Sequence, residues 1–172
     1  MHPGFIPTNH PNQQKKQGVN DSIDDRETPP CVFDPLHAEF GFTLDAAASH
    51  VNAKCERYHT TEGRYYRMPS GPVQATNLDG LACPWGDADR VWLNPPFSIL
   101  WPWVEKAYAA SQAGAQIAML IPASVGANWW AHYVDGKARI LLLNGRISFD
   151  SKGPFPKDCA LLLYSKQEIP GY

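Results

Sequence analysis

Asn94, Pro95, Pro96 and Phe97 are four adjacent residues whose types and order suit one kind of chemistry. A nitrogen attached to a conjugated ring or carbonyl is a poor nucleophile, because its lone pair is delocalised. Two hydrogen-bond acceptors on its two N–H groups draw it toward tetrahedral geometry and free the pair for attack on an electrophilic methyl. The Asn94 side-chain oxygen offers one acceptor and the Pro95 carbonyl the other. Successive prolines restrict the backbone, so these oxygens are held rigidly. Phe97 adds an aromatic face on which a planar base can stack. Such catalysis is positioning and electrostatics and needs no strong general base. The competing reading is a strand that ends at a proline turn beside a buried phenylalanine. Placement directly after the β-rich run Arg90-Val91-Trp92-Leu93 favours the chemical reading, since ligands of open α/β sheets sit at the carboxyl ends of strands.

The elements that must carry this motif follow from hydrophobic spacing. Val32, Phe33, Leu36 and Phe40 recur at helical intervals over Cys31 to Phe40, with Thr28 placed to cap the helix and Pro29 and Pro30 suited to its first turn. A short strand is expected at Phe42-Thr43-Leu44, then a turn of small residues, Asp45 to Ser49. Residues 50–72 read as a long loop, and residues 73–81 as a short strand and turn. Trp101 to Ala113 reads as a helix closed by Gly114, Gln116 to Ile121 as a buried strand, Trp129 to Val134 as a short helix and Arg139 to Leu143 as a strand. Asn144-Gly145 is a strong turn signal, and Ile147-Ser148-Phe149 with Cys159 to Tyr164 reads as a terminal antiparallel pair. Strands alternating with helices predict an α/β fold with a mostly parallel sheet covered on both faces.

A chain of 172 residues with 44% hydrophobic residues and six tryptophans is one domain's worth and suits a globular enzyme. Residues 1–27, rich in Pro, Asn, Gln and charge, read as a disordered arm, with the domain proper spanning 28–172. The net charge of −2 does not announce a nucleic-acid binder. Charge is uneven, however: Lys54, Arg57, Arg64 and Arg67 form one basic stretch, and residues 131–172 are locally basic. Cys31, Cys55, Cys83 and Cys159 form no Cys-x-x-Cys pair, which points to reduced thiols in a cytoplasmic protein. His50, Cys55 and His59 lack a second ligand pair at finger-like spacing, so no metal is expected. No stretch approaches a membrane span, and no signal sequence opens the chain.

The chain resembles the phage-type DNA N-6-adenine methyltransferases (Dam-like). The resemblance rests on Thr28-Pro29, Phe40 to Ser49 with its Leu44-Asp45-Ala46-Ala47-Ala48 turn, Asn52-Ala53-Lys54-Cys55, Asn94-Pro95-Pro96-Phe97 and Asn144 to Phe149, in that order over about residues 28–164. It implies a Rossmann-like, S-adenosylmethionine-dependent fold, with Asp45, Ala46 and Ala47 at the donor's edge of the first strand. It also implies Thr28 and Pro29 closing over the methionine end, although Glu27 stands where the family has an aromatic residue. Alanines replace the glycines that many nucleotide-binding turns use. Asp79 has two readings, a hydrogen-bond partner for the donor's ribose or adenine amine, or a turn-forming residue.

For the acceptor, the target base must be extruded or already single-stranded. Trp101 is a candidate to flank it, whereas Leu100, Trp103 and Val104 fit the core. Arg146 reads either as a phosphate contact or as a structural salt bridge. Lys54 and Lys152 are further candidate DNA contacts, and no separate target-recognition region fits in the chain. The implied activity is methylation of adenine N6 in DNA, in the cytoplasm of a bacterial host, for a phage or prophage protein acting in anti-restriction or regulation. No obligate protein partner is implied, and a homodimer is compatible. Alternatives are methylation of guanine N2 in RNA or of a protein glutamine, or a non-catalytic nucleic-acid-binding module on the same fold.

Overall fold

The computed structural model describes residues 24, 26–61, 66–68, 71–73, 79–149 and 153–166. Five strands, β1 (Leu44–Asp45), β4 (Arg90–Leu93), β5 (Gln116–Pro122), β6 (Arg139–Leu142) and β7 (Cys159–Tyr164), form one sheet in the order β1-β4-β5-β7-β6. β1 runs parallel to β4 and β4 parallel to β5, while β7 lies antiparallel to both β5 and β6. The sheet is therefore mixed, with a single reversed strand. β5 and β7 are buried almost throughout, which accounts for their continuous apolar sequences, as a central strand covered on both faces requires.

Alternation along the strands divides the core in two. Val91, Leu93, Ile117, Met119, Ile121, Leu162 and Tyr164 pack on one face against Trp103, Val104 and Ala107 of α2 (Trp101–Ala113) and Trp130 of α3 (Asn128–Tyr133). Trp92, Ala118, Leu120, Leu161 and Leu163 pack on the other against Phe33 and Phe40 of α1 (Pro30–Phe40), and against Ile147, Phe149 and Phe155.

That second cluster explains a correction. Ile147, Ser148 and Phe149 do not form a strand, and Asn144-Gly145 does not turn a hairpin between strands. The period-two apolar pattern is instead used by an irregular segment to cover the sheet beside α1, held by the Phe155 amide donating to the Ile147 carbonyl at 2.8 Å. The antiparallel partners of β7 are β5 and β6. Gly145 takes a positive φ of 85°, so the turn chemistry is present without the hairpin.

Three local expectations also change. Pro29, not Thr28, stands at the N-cap of α1, and no side chain caps it. The first strand is displaced to Leu44–Asp45. A small antiparallel ribbon, β2 (Tyr66–Met68) with β3 (Gly71–Val73), lies in the stretch expected to be loop except for Val73, where a strand was expected to begin and β3 ends. By contrast α2 and β7 occupy the expected residues, and Gly114 closes α2 with its amide donating to the Ala110 and Ser111 carbonyls. No helix among the described residues is long and apolar enough to cross a membrane.

Candidate active site

β1 and β4 end side by side, and a cleft opens at their carboxyl ends. The Ala46 amide donates to the Trp92 carbonyl at 3.0 Å, which carries the ladder one residue past β1 and lays Ala46, Ala47 and Ala48 as the cleft floor. On one side of the floor stand Asn94 and Pro96, with Asp24 and Arg26 beside them. On others stand His59, Thr60, Asp79, Gly80 and Trp103. Sequence reasoning named Asn94, Pro96, Ala46, Ala47 and Asp79, and the fold brings these five to one cavity.

Asn94 is oriented by its own amide. Its Nδ2 donates to the Arg26 carbonyl at 2.9 Å, which leaves Oδ1 buried and without a hydrogen-bond partner among the described residues. A buried acceptor left unmade is costly and rare in a folded chain, and such exceptions cluster where a ligand completes the set. Ser98, just past the motif, donates through its amide and its hydroxyl to the Asp24 carboxylate, at 2.8 and 2.6 Å. Asp24 and Arg26 belong to the stretch expected as an arm. Nothing in their composition signals this contact, which spans 68 residues in the case of Arg26 and Asn94.

Pro95 is buried and Phe97 half-buried. The Phe97 ring meets Phe149 edge-on at 5.6 Å and Phe155 at 5.4 Å, and the Arg26 guanidinium lies 5.2 Å from the Phe155 ring centre. Edge contacts of this kind hold an aromatic ring at a set angle. The segment that failed to become a strand therefore supports Phe97.

Asp45 lies beneath the floor and does not line the cleft. Its carboxylate accepts from the Lys54 amide at 2.9 Å and the Ala47 amide at 3.4 Å, so it ties the alanine turn to the following loop. Burial pushes its pKa up to about 6, against the lowering effect of those two amides and of the Lys54 charge. Thr28 is buried with its hydroxyl unpartnered among the described residues. The Lys54 ammonium is engaged by Glu27 at 2.7 Å. Trp101 is 55% exposed at the start of α2, seven positions after Asn94. Arg146 is exposed, its Nε 3.9 Å from the still more open Asp158 carboxylate. Lys152 lies outside the described residues.

Asp79 does both things its sequence allowed: it lines the cleft, and its Oδ1 accepts the Leu81 amide at 2.9 Å in a side-chain turn. Gly80 was missed. A Cβ there would sit 1.9 Å from the Ala46 carbonyl oxygen, so only glycine lets this turn lie against the floor. The Asp79-Gly80 dipeptide, a common turn signal, was the available clue. Trp85 Nε1 donates to the Gly80 carbonyl at 3.2 Å and Lys106 of α2 donates to the Leu81 carbonyl at 2.8 Å, fixing the turn from behind.

The other residues once weighed as metal ligands go separate ways. His50 Nδ1 lies 2.8 Å from the Tyr58 hydroxyl, the Cys55 thiol points to the Phe42 carbonyl with its pKa pushed to about 12 by burial, and His59 faces the cleft. No group of three or more potential ligands stands together among the described residues.

Small-residue floor, unpartnered Asn94 oxygen and aromatic-backed Phe97 are the features that comparison with known proteins makes specific. The family model of DNA N-6-adenine-methyltransferase (Dam) matches residues 15–68 and 72–160. The chain is also similar to the DNA N-6-adenine-methyltransferase of Escherichia phage T1, at 32% identity over 127 residues, 73% of this chain. It spans 47% of that relative's length. Because the matched stretches run through the cleft floor, the Asn94 motif and the segments that brace them, this chain belongs to the DNA N-6-adenine-methyltransferase (Dam) family.

Proposed function

We propose that this chain transfers a methyl group from S-adenosylmethionine to N6 of adenine in DNA, on a Rossmann-like sheet whose reversed strand β7 lies toward one edge. The observation that carries the reading is the Asn94 Oδ1, a buried acceptor on a cleft-lining residue, without a hydrogen-bond partner among the described residues. Family membership supplies the reaction class. The donor would lie over Ala46 and Ala47, where small side chains admit close approach, with Asp79 accepting from one of its N–H or O–H groups and Thr28 and Pro29 toward its methionine end. It supplies an electrophilic methyl carried on a sulfonium.

The chain's own residues do the rest. Asn94 Oδ1 and the Pro95 carbonyl accept the two amine protons of the target, and the Arg26 carbonyl keeps the Asn94 amide from flipping its donor end into the cleft. Phe97, angled by Phe149 and Phe155, stacks on the base. Trp101, Arg146 and Lys152 contact the DNA outside the cleft. Lys54, whose ammonium is held by Glu27 at 2.7 Å, is a further DNA contact in this reading. In this reading residues 28–172 form the catalytic domain, Asp24 and Arg26 of the preceding arm complete its cleft, and the protein works in the cytoplasm of a bacterial host without a metal.

The test is transfer of labelled methyl from S-adenosylmethionine to unmethylated DNA, with the product nucleoside identified. Formation of N6-methyladenine is expected, with Asn94→Ala lowering the rate by at least about a hundredfold at unchanged thermal stability. Near-normal turnover by folded Asn94→Ala would remove the central assignment. Label appearing only in RNA or in a protein amide would move the acceptor and keep the chemistry.

A further inference from the structure

His59 is 7% exposed, lines the cleft, and has neither ring nitrogen hydrogen-bonded among the described residues. Two unmade bonds on one buried side chain are too costly to be a packing accident. The backbone holds the residue firmly: the His59 amide donates to the Asp45 carbonyl at 2.8 Å, and the Ala48 amide donates to the His59 carbonyl at 3.0 Å.

Its place follows from the sheet. Tyr58 bridges to Asp45 in parallel, and Asp45 pairs with Trp92. One residue further along, His59, Ala46 and Leu93 form a row, with His59 and the end of β4 on opposite sides of the alanine floor. Two strand spacings separate them, about 10 Å. The target amine must sit at Asn94, and its base stacks on Phe97, which is backed by Phe149 and Phe155 on the other flank. His59 is thus out of reach of the reacting nitrogen. With the proposed donor lying over Ala46 and Ala47 and its methyl at Asn94, the part that reaches across the floor to His59 is taken to be its nucleoside half, since Thr28 and Pro29 are assigned to the methionine end.

The imidazole's chemistry narrows the contact. Burial, together with the Arg57 and Lys106 charges, lowers its pKa against the opposing pull of Asp89 and Asp79, so the ring is neutral near pH 7. A neutral imidazole offers one donor and one acceptor, the pattern that a pair of ribose hydroxyls completes. Asp79, acceptor only when ionised, suits the adenine amine.

We infer that His59 is a specificity-determining residue that hydrogen-bonds the ribose hydroxyls of the methyl donor. The inference rests on the proposed donor, and calorimetry separates the two. Wild-type protein is titrated with S-adenosylmethionine and with its 3′-deoxy and 2′-deoxy analogues, beside His59→Ala and His59→Gln. The expected result is about tenfold weaker binding by wild type on loss of a contacted hydroxyl. His59→Ala should bind the full donor equally weakly and no longer distinguish it from that analogue, while the KM for DNA is unchanged. His59→Gln, which keeps the ring's polar reach, should fall between and serves if the alanine variant does not fold. A His59→Ala or His59→Gln protein that still discriminates the hydroxyl as wild type does would overturn the inference alone. Folded wild type giving no heat with S-adenosylmethionine would remove the donor assignment, and the His59 role with it.

Discussion

At the scale of single residues, the site is organised by polar atoms whose partners are missing or unusual. Asn94 Oδ1 and both His59 ring nitrogens are buried without a hydrogen-bond partner among the described residues, whereas the Asp45 carboxylate accepts from the Lys54 and Ala47 amides and holds the turn. Asp45 makes a distinct prediction. Its folded pKa, pushed up to about 6 by burial, lies above the ordinary carboxylate value of 3.8. Between those values the folded state binds the proton more tightly than the unfolded chain, so this group adds stability as pH falls through about 6 and has given its full contribution below about 4. A shift of this size corresponds to something on the order of 3 kcal/mol. Wild type should therefore gain stability relative to Asp45→Asn as pH is lowered from 7 to 4.5, measured by urea denaturation. A difference that stays flat with pH would mean that Asp45 is ionised in the fold at all of these values.

At the scale of elements, the cleft exists because turns are pressed against strand ends. The Asp79-Gly80 turn touches the Ala46 carbonyl, and α2 pins it through Lys106. Gly80→Ala must push the turn off the floor, since its Cβ would meet Ala46 at 1.9 Å and Trp103 at 3.1 Å. The backbone there needs no positive φ, so the penalty is steric and not conformational. The expected cost is about 1–3 kcal/mol in thermal unfolding, with donor affinity reduced more than tenfold. An unchanged melting temperature and affinity would show that the turn does not pack against the floor. The irregular stretch Ile147 to Phe149, with Phe155, is the complementary case. It gives up a strand's ladder to put three apolar side chains behind Trp92 and Phe97.

At the scale of the whole molecule, a net charge of −2 leaves little general attraction for DNA, so on the proposed function affinity is expected to come from local cations and from the exposed Trp101. Arg146 is the clearest local cation. Its contact with Asp158 at 3.9 Å, between side chains 56% and 83% exposed, contributes little to stability. Arg146→Ala should leave the denaturation midpoint nearly unchanged, raise the KM for DNA, and flatten the salt dependence of log KM by about one unit of slope. An unaltered salt slope would return Arg146 to an ordinary surface role.

The local chemistry of this protein is legible in its sequence. Helix α2, strand β7 and the Asn94 motif at the end of β4 could be read from spacing, prolines and a closing glycine, because each depends on neighbours within a few residues. So could the alanine turn, whose Asp45 carboxylate accepts from the Lys54 and Ala47 amides. Tertiary structure decided what depends on distant pairing. Ile147 and Phe149 alternate as a strand would, and only the unfilled sheet face beside α1 makes them a cover. Asp24 and Arg26 look like tail residues until the fold sets them against Asn94 and Ser98. Gly80 and His59 carry no periodic signal at all, since their meaning lies in a carbonyl 34 residues away from Gly80 and in a cleft that exists only once β1 and β4 are paired. Backbone preferences and side-chain chemistry are local and can be read along a chain. Close approach, and the presence or absence of a buried partner, are properties of the packed molecule.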